Sequence, residues 1–413
     1  MKPELIAPVG NLPMLSAAIN AKADAVYFGV KELNMRITAN NFELSQIKKV
    51  VEQCHKNNVK AYLTLNTIIY DDELEKVRKL LKQAKKAGID AVIAWDFAVL
   101  EECKKQKIPI HLSTQASVSN FGSLYSYYKR FKIKRAVLAR ECSLEQIKEI
   151  IKKIKNKKIK VEIEVFVHGA MCVSMSGRCF TSQFVFGKSA NRGDCLQNCR
   201  REYKIIDEEG NELRLGNNYV MSAKDLCTLP FLDRLIDAGI NGFKIEGRNR
   251  SAEYVSVVTE CYGDILKSMK KFNIKKSLIK KNKNKSILKK IKNNIQKLKT
   301  VYNRDFSTGF YLGKPIDEWT DSYGGKATKK KFYVGKIKNF YKKIKVAELL
   351  MENKPLKLND EIIIIGNKTG AISQNISSME IKHKKIKTAK KGQRIAIKLN
   401  KTARENDKVF VVQ

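Results

Sequence analysis

The chain has 413 residues, too many for one ordinary hydrophobic core, so a large domain and a smaller second one are expected. Its 81 lysines and arginines outweigh 42 aspartates and glutamates, and the net charge of +39 favours an anionic partner such as nucleic acid or an acidic membrane surface, although a composition rich in Lys, Asn and Ile explains part of the excess. No apolar run is long enough to span a membrane and the start MKPELIAPVGN lacks the apolar core of a signal peptide, so a cytoplasmic location is expected.

Short apolar runs alternate with amphipathic stretches such as LSQIKKVVEQCHKNN and DELEKVRKLLKQAKKAG over the first two thirds of the chain. Most of the runs are continuously apolar, as in parallel strands that are buried on both faces. Eight strand-helix repeats predict an α/β fold, a (β/α)8 TIM-like barrel over residues 1–270, with an open doubly wound sheet as the alternative. The predicted strands are residues 4–9, 25–29, 61–66, 91–95, 108–114, 135–140, 161–169 and 242–247.

The spacing between the seventh and eighth strands is much longer than elsewhere, which predicts an insertion over about residues 170–227. The loops that follow barrel strands are where such folds carry their chemistry. Five of the nine cysteines fall in this insertion: Cys172, Cys179, Cys195, Cys199 and Cys227.

A lysine-rich stretch without acidic residues follows the barrel, and we expect a basic helical arm and linker over residues 271–325. The arm is either a solvated helix with a loop or a phosphate-contacting element. From residue 326 to 413, short runs such as EIIIIG, RIAIKLN and KVFVVQ are separated by turn residues and predict a small C-terminal antiparallel β-barrel.

Clustered cysteines in a reducing compartment bind a metal or perform redox chemistry more often than they form disulfides. The pair Cys195 and Cys199 fits zinc only loosely, and scattered ligands on long loops favour an iron-sulfur cluster, with zinc kept as the alternative. A nucleophilic Cys172 served by His168 is a third possibility, and His168 is a candidate acid or base. The remaining cysteines, Cys54, Cys103, Cys142 and Cys261, fall in helix or strand patterns and are expected to be packing residues.

The stretch EVFVHGAMCVSMSGRCFTS, residues 164–182, resembles the signature of the peptidase U32 family. The signature begins with an acid, here Glu164, and Thr181 departs from the aliphatic residue usual at its place. The segments ELIAPVGN, NRGDCLQNCR, SAKDLC, GFKIEGRNR and FSTGFYLG extend the resemblance over nearly the whole chain. The matching signature residues are Glu164, Phe166, Gly169, Ala170, Met171, Cys172, Gly177, Cys179 and Ser182.

Within this family the chain looks most like the branch that hydroxylates transfer RNA. The resemblance implies an enzyme that converts the wobble uridine to 5-hydroxyuridine without molecular oxygen, with an iron-sulfur cluster, 4Fe-4S in type, and with prephenate as oxygen donor. It implies Cys172, Cys179, Cys195 and Cys227 as cluster ligands, with Cys199 as an extra neighbour or an alternate ligand. Ribosomal RNA hydroxylation and a collagenase-like peptidase are the alternatives, and the family also contains ubiquinone hydroxylation proteins.

Basic residues near the strand ends are the expected contacts for phosphates and for a dicarboxylate, because Arg binds such groups through two parallel hydrogen bonds and Lys acts as a point charge. A target base must be splayed out of its loop to reach a barrel mouth. A non-catalytic RNA-binding protein with a structural metal is a further alternative. The expected substrate-binding residues are Arg140, Arg178, Lys224, Lys244 and Arg248, and the catalytic candidates are Glu164 and His168.

Overall fold

A computed structural model describes residues 3–213, 219–271 and 285–413. In the described residues, eight parallel strands form a closed barrel in sequence order, and the last strand pairs with both the seventh and the first. The first seven are β1 (Glu4–Val9), β2 (Ala25–Phe28), β3 (Lys60–Thr64), β4 (Ala91–Ala94), β5 (Ile110–Leu112), β6 (Arg135–Val137) and β7 (Glu162–Gly169). After the short strands β8 (Ile205–Ile206), β9 (Glu212–Leu213) and β10 (Asp225–Cys227), the eighth barrel strand is β11 (Gly242–Ile245).

The barrel confirms the predicted fold and excludes the open doubly wound sheet, because β11 closes the ring against β1. Its strands are almost entirely buried, which explains their continuous apolar runs. The outer helices are amphipathic and turn their apolar faces to the strands, as Val77, Leu80 and Leu81 do. The helices that connect the first seven strands are α1 (Leu12–Asn20), α2 (Ile47–His55), α3 (Leu74–Lys86), α4 (Phe97–Lys105), α5 (Phe121–Phe131) and α6 (Leu144–Asn156).

The long connection between β7 and β11 holds little regular structure. It contains α7 (Thr181–Phe186) and α8 (Leu232–Ala238), and strands β8 and β9 pair as a short hairpin. Strand β10 runs back antiparallel to the end of β7, pairing Cys227 with His168. The insertion is therefore anchored at its far end to the same strand from which it departs.

Helix α9 (Ala252–Lys271) completes the outer ring, and α10 (Lys285–Lys299) packs against it through Ile287, Ile291 and Leu298. This part of the predicted basic arm lies on the barrel with its apolar face buried, while residues 272–284 lie outside the described residues. The chain then returns to the insertion, where β12 (Phe306–Ser307) pairs with β10 and Arg304 binds Asp225 at 2.7 Å.

The C-terminal residues build an antiparallel unit around their own core, as predicted. The turn at Gly370, whose φ is +74°, lies directly against the backbone of α1. The Ser16 hydroxyl on that helix donates to the Asn367 carbonyl at 2.7 Å. Its strands are β13 (Lys331–Tyr341), β14 (Val346–Met351), β15 (Leu356–Lys357), β16 (Glu361–Gly366), β17 (Gly370–Asn375), β18 (Met379–Ile381), β19 (Lys384–Lys385), β20 (Thr388–Ala389), β21 (Arg394–Lys398) and β22 (Lys408–Val412).

Within the described ranges, no helix is both long and apolar enough to cross a bilayer.

Candidate functional site

The cysteine insertion begins with a sharp turn at the mouth of the barrel. Gly169, the last residue of β7, has a φ of +104°, and a Cβ there would lie 2.5 Å from the carbonyl oxygen of Glu246. Only glycine tolerates both the left-handed backbone and this close approach. The turn directs the following residues across the mouth, where Cys172, Cys179, Cys195 and Cys199 line one cavity. We call this cavity the thiol pocket.

Polar contacts fix the loops that carry the four thiols. The side-chain oxygen of Asn191 accepts from the Cys179 amide at 2.9 Å. The buried hydroxyl of Ser182 accepts from the Leu196 amide at 3.1 Å and lies 3.2 Å from the Asn198 side chain. These contacts join the segment of Cys179 to the segment of Cys195 and Cys199, which gives the signature residue Ser182 a structural role.

Cys227 lies outside the thiol pocket. It is buried in the wall of the barrel, where its sulfur is 3.9 Å from the Tyr262 hydroxyl, and burial raises the pKa of its thiol to about 11. The structure therefore groups Cys199, instead of Cys227, with Cys172, Cys179 and Cys195. Cys227 is absent from the thiol pocket because β10 pairs with β7, which places this side chain in the core beside His168.

The two catalytic candidates do not line the thiol pocket either. His168 is buried among Tyr254, Tyr262 and Phe306, and burial lowers its pKa to about 4. It is therefore a neutral packing residue at ordinary pH. Glu164 is fully buried lower in the barrel and is paired with Arg135 at 3.2 Å and with Lys244 at 2.8 Å.

The thiols within the pocket differ in their surroundings. Desolvation by the pocket walls raises the pKa of Cys172. Hydrogen bonds with Ser174 and the charges of Arg140 and Arg36 act in the opposite direction and outweigh it, so the pKa of this thiol lies below its usual value. At Cys199 desolvation prevails and raises the pKa in spite of the nearby Arg200. The surroundings therefore favour the thiolate at Cys172 and the neutral thiol at Cys199.

Four thiols around one cavity are a donor set that both iron-sulfur clusters and zinc sites use. In the part of the chain that is described, no three His, Cys, Asp or Glu side chains converge tightly enough to hold a single metal ion. A cluster places a different requirement on its ligands, because each thiolate binds its own iron at the periphery of a larger group. In the described residues the four thiols therefore line one cavity without forming a site preshaped for a single ion.

A second cavity, which we call the lower chamber, lies beneath the thiol pocket inside the barrel. The two cavities share Met35, Arg36, Thr114, Gln115, Arg140 and Glu246 in their walls. The lower chamber continues to Tyr27, Asn66, Lys244 and Arg248. A ligand bound in the lower chamber would thus lie directly below a group held by the thiols.

The lower chamber is strongly cationic. Glu246 is paired with Arg36 at 3.1 Å and lies 4.0 Å from Arg140. Burial alone would raise the pKa of Glu246, but the charges of Arg36 and Arg140 hold it at about 2, so this carboxylate stays ionised. Arg248 is held only by neutral acceptors, Asn34, Asn41 and Thr64.

Two guanidinium groups keep an unused donor at this place. The Nε atoms of Arg140 and Arg248 are buried and find no hydrogen-bond partner among the described residues. A buried donor without an acceptor is costly, which makes these atoms candidate contacts for a bound anion. The arrangement can therefore bind a small molecule that carries one or two carboxylates.

Of the five basic residues predicted to bind substrate, three line this chamber and two do not. Arg140, Lys244 and Arg248 line it, although Lys244 is also paired with Glu164. Arg178 and Lys224 lie outside the chamber. Arg178 donates to the Ser117 hydroxyl at 2.9 Å, and Lys224 pairs with Glu318 at 3.0 Å.

Sequence reasoning missed four arginines that line the thiol pocket: Arg36, Arg200, Arg250 and Arg304. Arg36 comes from the loop after β2, and Arg304 comes from the segment before β12. Arg200 donates to the carbonyl oxygens of Met171 and Ala223, which ties the two ends of the insertion together. The available signal for Arg36 was the length of its loop, since long loops after barrel strands carry function; Arg304 had no comparable signal.

Comparison with known proteins places this geometry in a family. Residues 10–321 match the family model described as peptidase family U32. A protein of Porphyromonas gingivalis named "Collagenase" is 40% identical over 98% of this chain and 97% of its own length. The "tRNA hydroxylation protein P1" of Bacillus subtilis is 32% identical over 88% of this chain and 84% of its own length.

A third relative, a 23S rRNA 5-hydroxycytidine synthase of Escherichia coli, is 36% identical over 64% of this chain and 39% of its own length. The match to the family model covers well over half of the chain and includes the signature around Cys172 and Cys179. The chain therefore belongs to peptidase family U32.

Proposed function

We propose that this protein is an RNA-modifying enzyme that hydroxylates the wobble uridine of transfer RNA to 5-hydroxyuridine. In this proposal the reaction uses a 4Fe-4S cluster, needs no molecular oxygen, and takes its oxygen atom from prephenate. The observation that carries the proposal is the thiol pocket lying directly above a cationic chamber, inside a family whose members include named RNA hydroxylation proteins.

Cys172, Cys179, Cys195 and Cys199 would hold the cluster, because these four thiols line one cavity. Cys227 is left out since its sulfur faces Tyr262 in the core. When bound, the cluster would supply electron transfer and Lewis-acid chemistry at the mouth of the barrel.

The arginines of the lower chamber would bind prephenate, which is a dicarboxylate. Arg140 and Arg248 each have a buried Nε that no acceptor in the described ranges contacts, and Arg36 adds a third guanidinium group. Glu246 accepts from Arg36 and lies near Arg140, so it would position these arginines and remain ionised while doing so. A dianion would balance the positive charge that Glu246 leaves over.

The uridine would enter from the open side of the thiol pocket. A base in a single-stranded loop can be splayed out at low cost, which suits a site recessed in a barrel mouth. The proposed reaction transfers one oxygen atom from prephenate into the C5–H bond of the base, so the base is oxidised by two electrons and the donor is reduced by two. The walls of the pocket would exclude water from that position.

Mass spectrometry of nucleosides tests the substrate. Transfer RNA from a strain that lacks the gene should lose 5-hydroxyuridine and its derivatives, and the gene should restore them. Ribosomal RNA from the same cells is the matched control. A lost hydroxylated nucleoside in ribosomal RNA alone would favour the rRNA alternative, and unchanged RNA of both kinds would refute the proposal.

Metal analysis after anaerobic purification tests the ligand set. Wild-type protein should carry iron and sulfide, and Cys199→Ala should lose most of both. Cys227→Ala is the control from the same insertion and should keep its iron, because that thiol lies outside the pocket. The reverse result would restore Cys227 to the ligand set, and a zinc-loaded protein would remove the redox chemistry.

Peptide hydrolysis is the second candidate, favoured by the relative named "Collagenase". Among the described residues no histidine lines the thiol pocket, and His168 is turned away from Cys172 into the core. A cysteine nucleophile therefore lacks the base that would activate it. Gelatin cleavage that survives iron chelation and disappears in Cys172→Ala would support the peptidase instead.

A further inference from the structure

Large apolar side chains on the outer face of the cysteine insertion point into solvent. Phe184 is 84% exposed, Phe180 63% and Val185 61%. Isolated exposed apolar residues are ordinary, but several of them along one segment that lines a cavity form a candidate binding surface. The exposed members of this group are Val173, Met175, Phe180, Phe184, Val185 and Leu196, and we call the group the apolar ledge.

The apolar ledge borders the thiol pocket. Phe180 lies between Cys179 and Thr181 in the chain, and both of these residues line the pocket. Leu196 follows Cys195 in the same way, and Val173 itself belongs to both the ledge and the pocket wall. A molecule that contacts the ledge would therefore reach the edge of the cavity that holds the thiols.

Two rings form the centre of the ledge. Phe180 and Phe184 lie one helical turn apart, with ring centroids separated by 6.1 Å and ring planes inclined by 47°. The next aromatic residue, Phe186, has the Arg201 guanidinium 5.0 Å from its ring centre. Exposed rings combined with arginine are the surface on which unpaired nucleobases stack.

The charges around the ledge favour a polyanion as its occupant. Over residues 173–201, which carry the ledge, the basic residues Arg178, Lys188, Arg192, Arg200 and Arg201 stand against the acidic Asp194. Lys188 is paired with Asp194 and Arg192 with Glu73, which leaves Arg178, Arg200 and Arg201 as the cations of this stretch without a carboxylate partner among the described residues. A second copy of the chain is a poorer occupant, because it also carries a net charge of +39 and would cover the entrance to the thiol pocket.

We infer that the apolar ledge is a stacking platform for unpaired nucleotides next to the target base, and that Phe180 and Phe184 are its main contacts. This inference rests on the proposed RNA substrate and adds how the RNA is recognised: single-stranded loops are selected over duplexes by stacking. Stacking requires the π-face of a base, which a paired helix does not expose.

Binding of a short RNA hairpin with an unpaired loop, and of a duplex of equal length, to the full-length protein tests this. Phe180→Ala and Phe184→Ala should each weaken hairpin binding about tenfold and leave duplex binding nearly unchanged. Phe184→Trp should restore hairpin affinity, because tryptophan also offers a ring. The dependence of binding on salt concentration should keep its slope, since no phosphate contact is removed.

Tyr341→Ala is the matched control, because Tyr341 is exposed on the C-terminal sheet away from the insertion. Equal hairpin affinity in wild type, Phe180→Ala and Phe184→Ala would overturn the platform. The platform would also be overturned if the wild-type protein were a dimer that Phe184→Ala dissociates while hairpin affinity stays the same. That result would assign the ledge to contact with a second copy of the chain. If wild-type protein binds neither RNA, the proposed RNA substrate fails as well, which separates the two outcomes.

Discussion

The interior of the barrel holds two charged regions that differ in how completely their charges are paired. The first region, which we call the lower region, lies deeper in the barrel than the lower chamber. In it Arg135 contacts Glu4 at 2.7 Å and Glu164 at 3.2 Å, and Lys244 contacts the other carboxylate oxygen of Glu164 at 2.8 Å. At the mouth, Glu246 is the single carboxylate in a chamber lining that also holds Arg36, Arg140 and Arg248, and it is paired with Arg36 at 3.1 Å. The charges of the lower region are paired within the protein, whereas the lining of the mouth holds more cations than carboxylates.

The difference follows the general division of labour in such barrels. Residues at the carboxyl ends of the strands carry function, and residues lower in the barrel carry stability. Glu164 belongs to the family signature, yet its contacts place it in the lower region, so its presence in the signature has a structural reason.

The largest effect is expected from Glu164→Ala. The substitution leaves two buried cations without their shared carboxylate, which should destabilise the fold by about 3–5 kcal/mol. Denaturant unfolding monitored by circular dichroism measures the change. A variant of nearly wild-type stability that has lost activity would contradict the comparison and return Glu164 to the catalytic candidates.

A somewhat smaller effect is expected from pH. Burial lowers the pKa of His168 to about 4, against about 6.5 in the unfolded chain. The unfolded state therefore binds more protons between these values, so stability is complete above about pH 6.5 and falls by roughly 3 kcal/mol as the pH drops to about 4. The buried His111, whose pKa burial also lowers, acts in the same direction.

Unfolding free energies measured across this pH range test the effect. His168→Gln removes one titrating group and should flatten the dependence, although it also costs some packing at neutral pH. A slope that is identical in the variant and the wild type would show that His168 is not responsible.

Substitution of an arginine at the mouth should cause the smallest change in the free energy of unfolding, together with a clear loss of affinity for the proposed ligand. Arg140→Gln should weaken binding of prephenate at least tenfold, because it removes a charge-assisted contact, while costing less stability than Glu164→Ala. Calorimetric titration measures the affinity. Arg178→Gln is the control, since Arg178 lies outside the lower chamber, and an equal loss in that variant would indicate a nonspecific charge effect.

The sequence was sufficient for the architecture because each local pattern agrees with the final fold. All eight predicted strands are the strands of the barrel, and their continuous apolar character follows from burial on both faces. The antiparallel C-terminal unit was also evident, since alternating strands and turn residues specify it locally. The position of the cysteine insertion after β7 and its family signature were likewise readable from the chain.

Only the tertiary structure decided which side chains of this insertion share a cavity. Long loops have no periodicity that fixes the direction of a side chain, so the sequence could not distinguish Cys199 from Cys227. The pairing of β10 with β7 turns Cys227 into the core, and the return of the chain after α10 brings Arg304 to the thiol pocket. Contacts between residues far apart in the chain made these choices, because the free energy of burial and ion pairing depends on neighbours that local sequence does not specify.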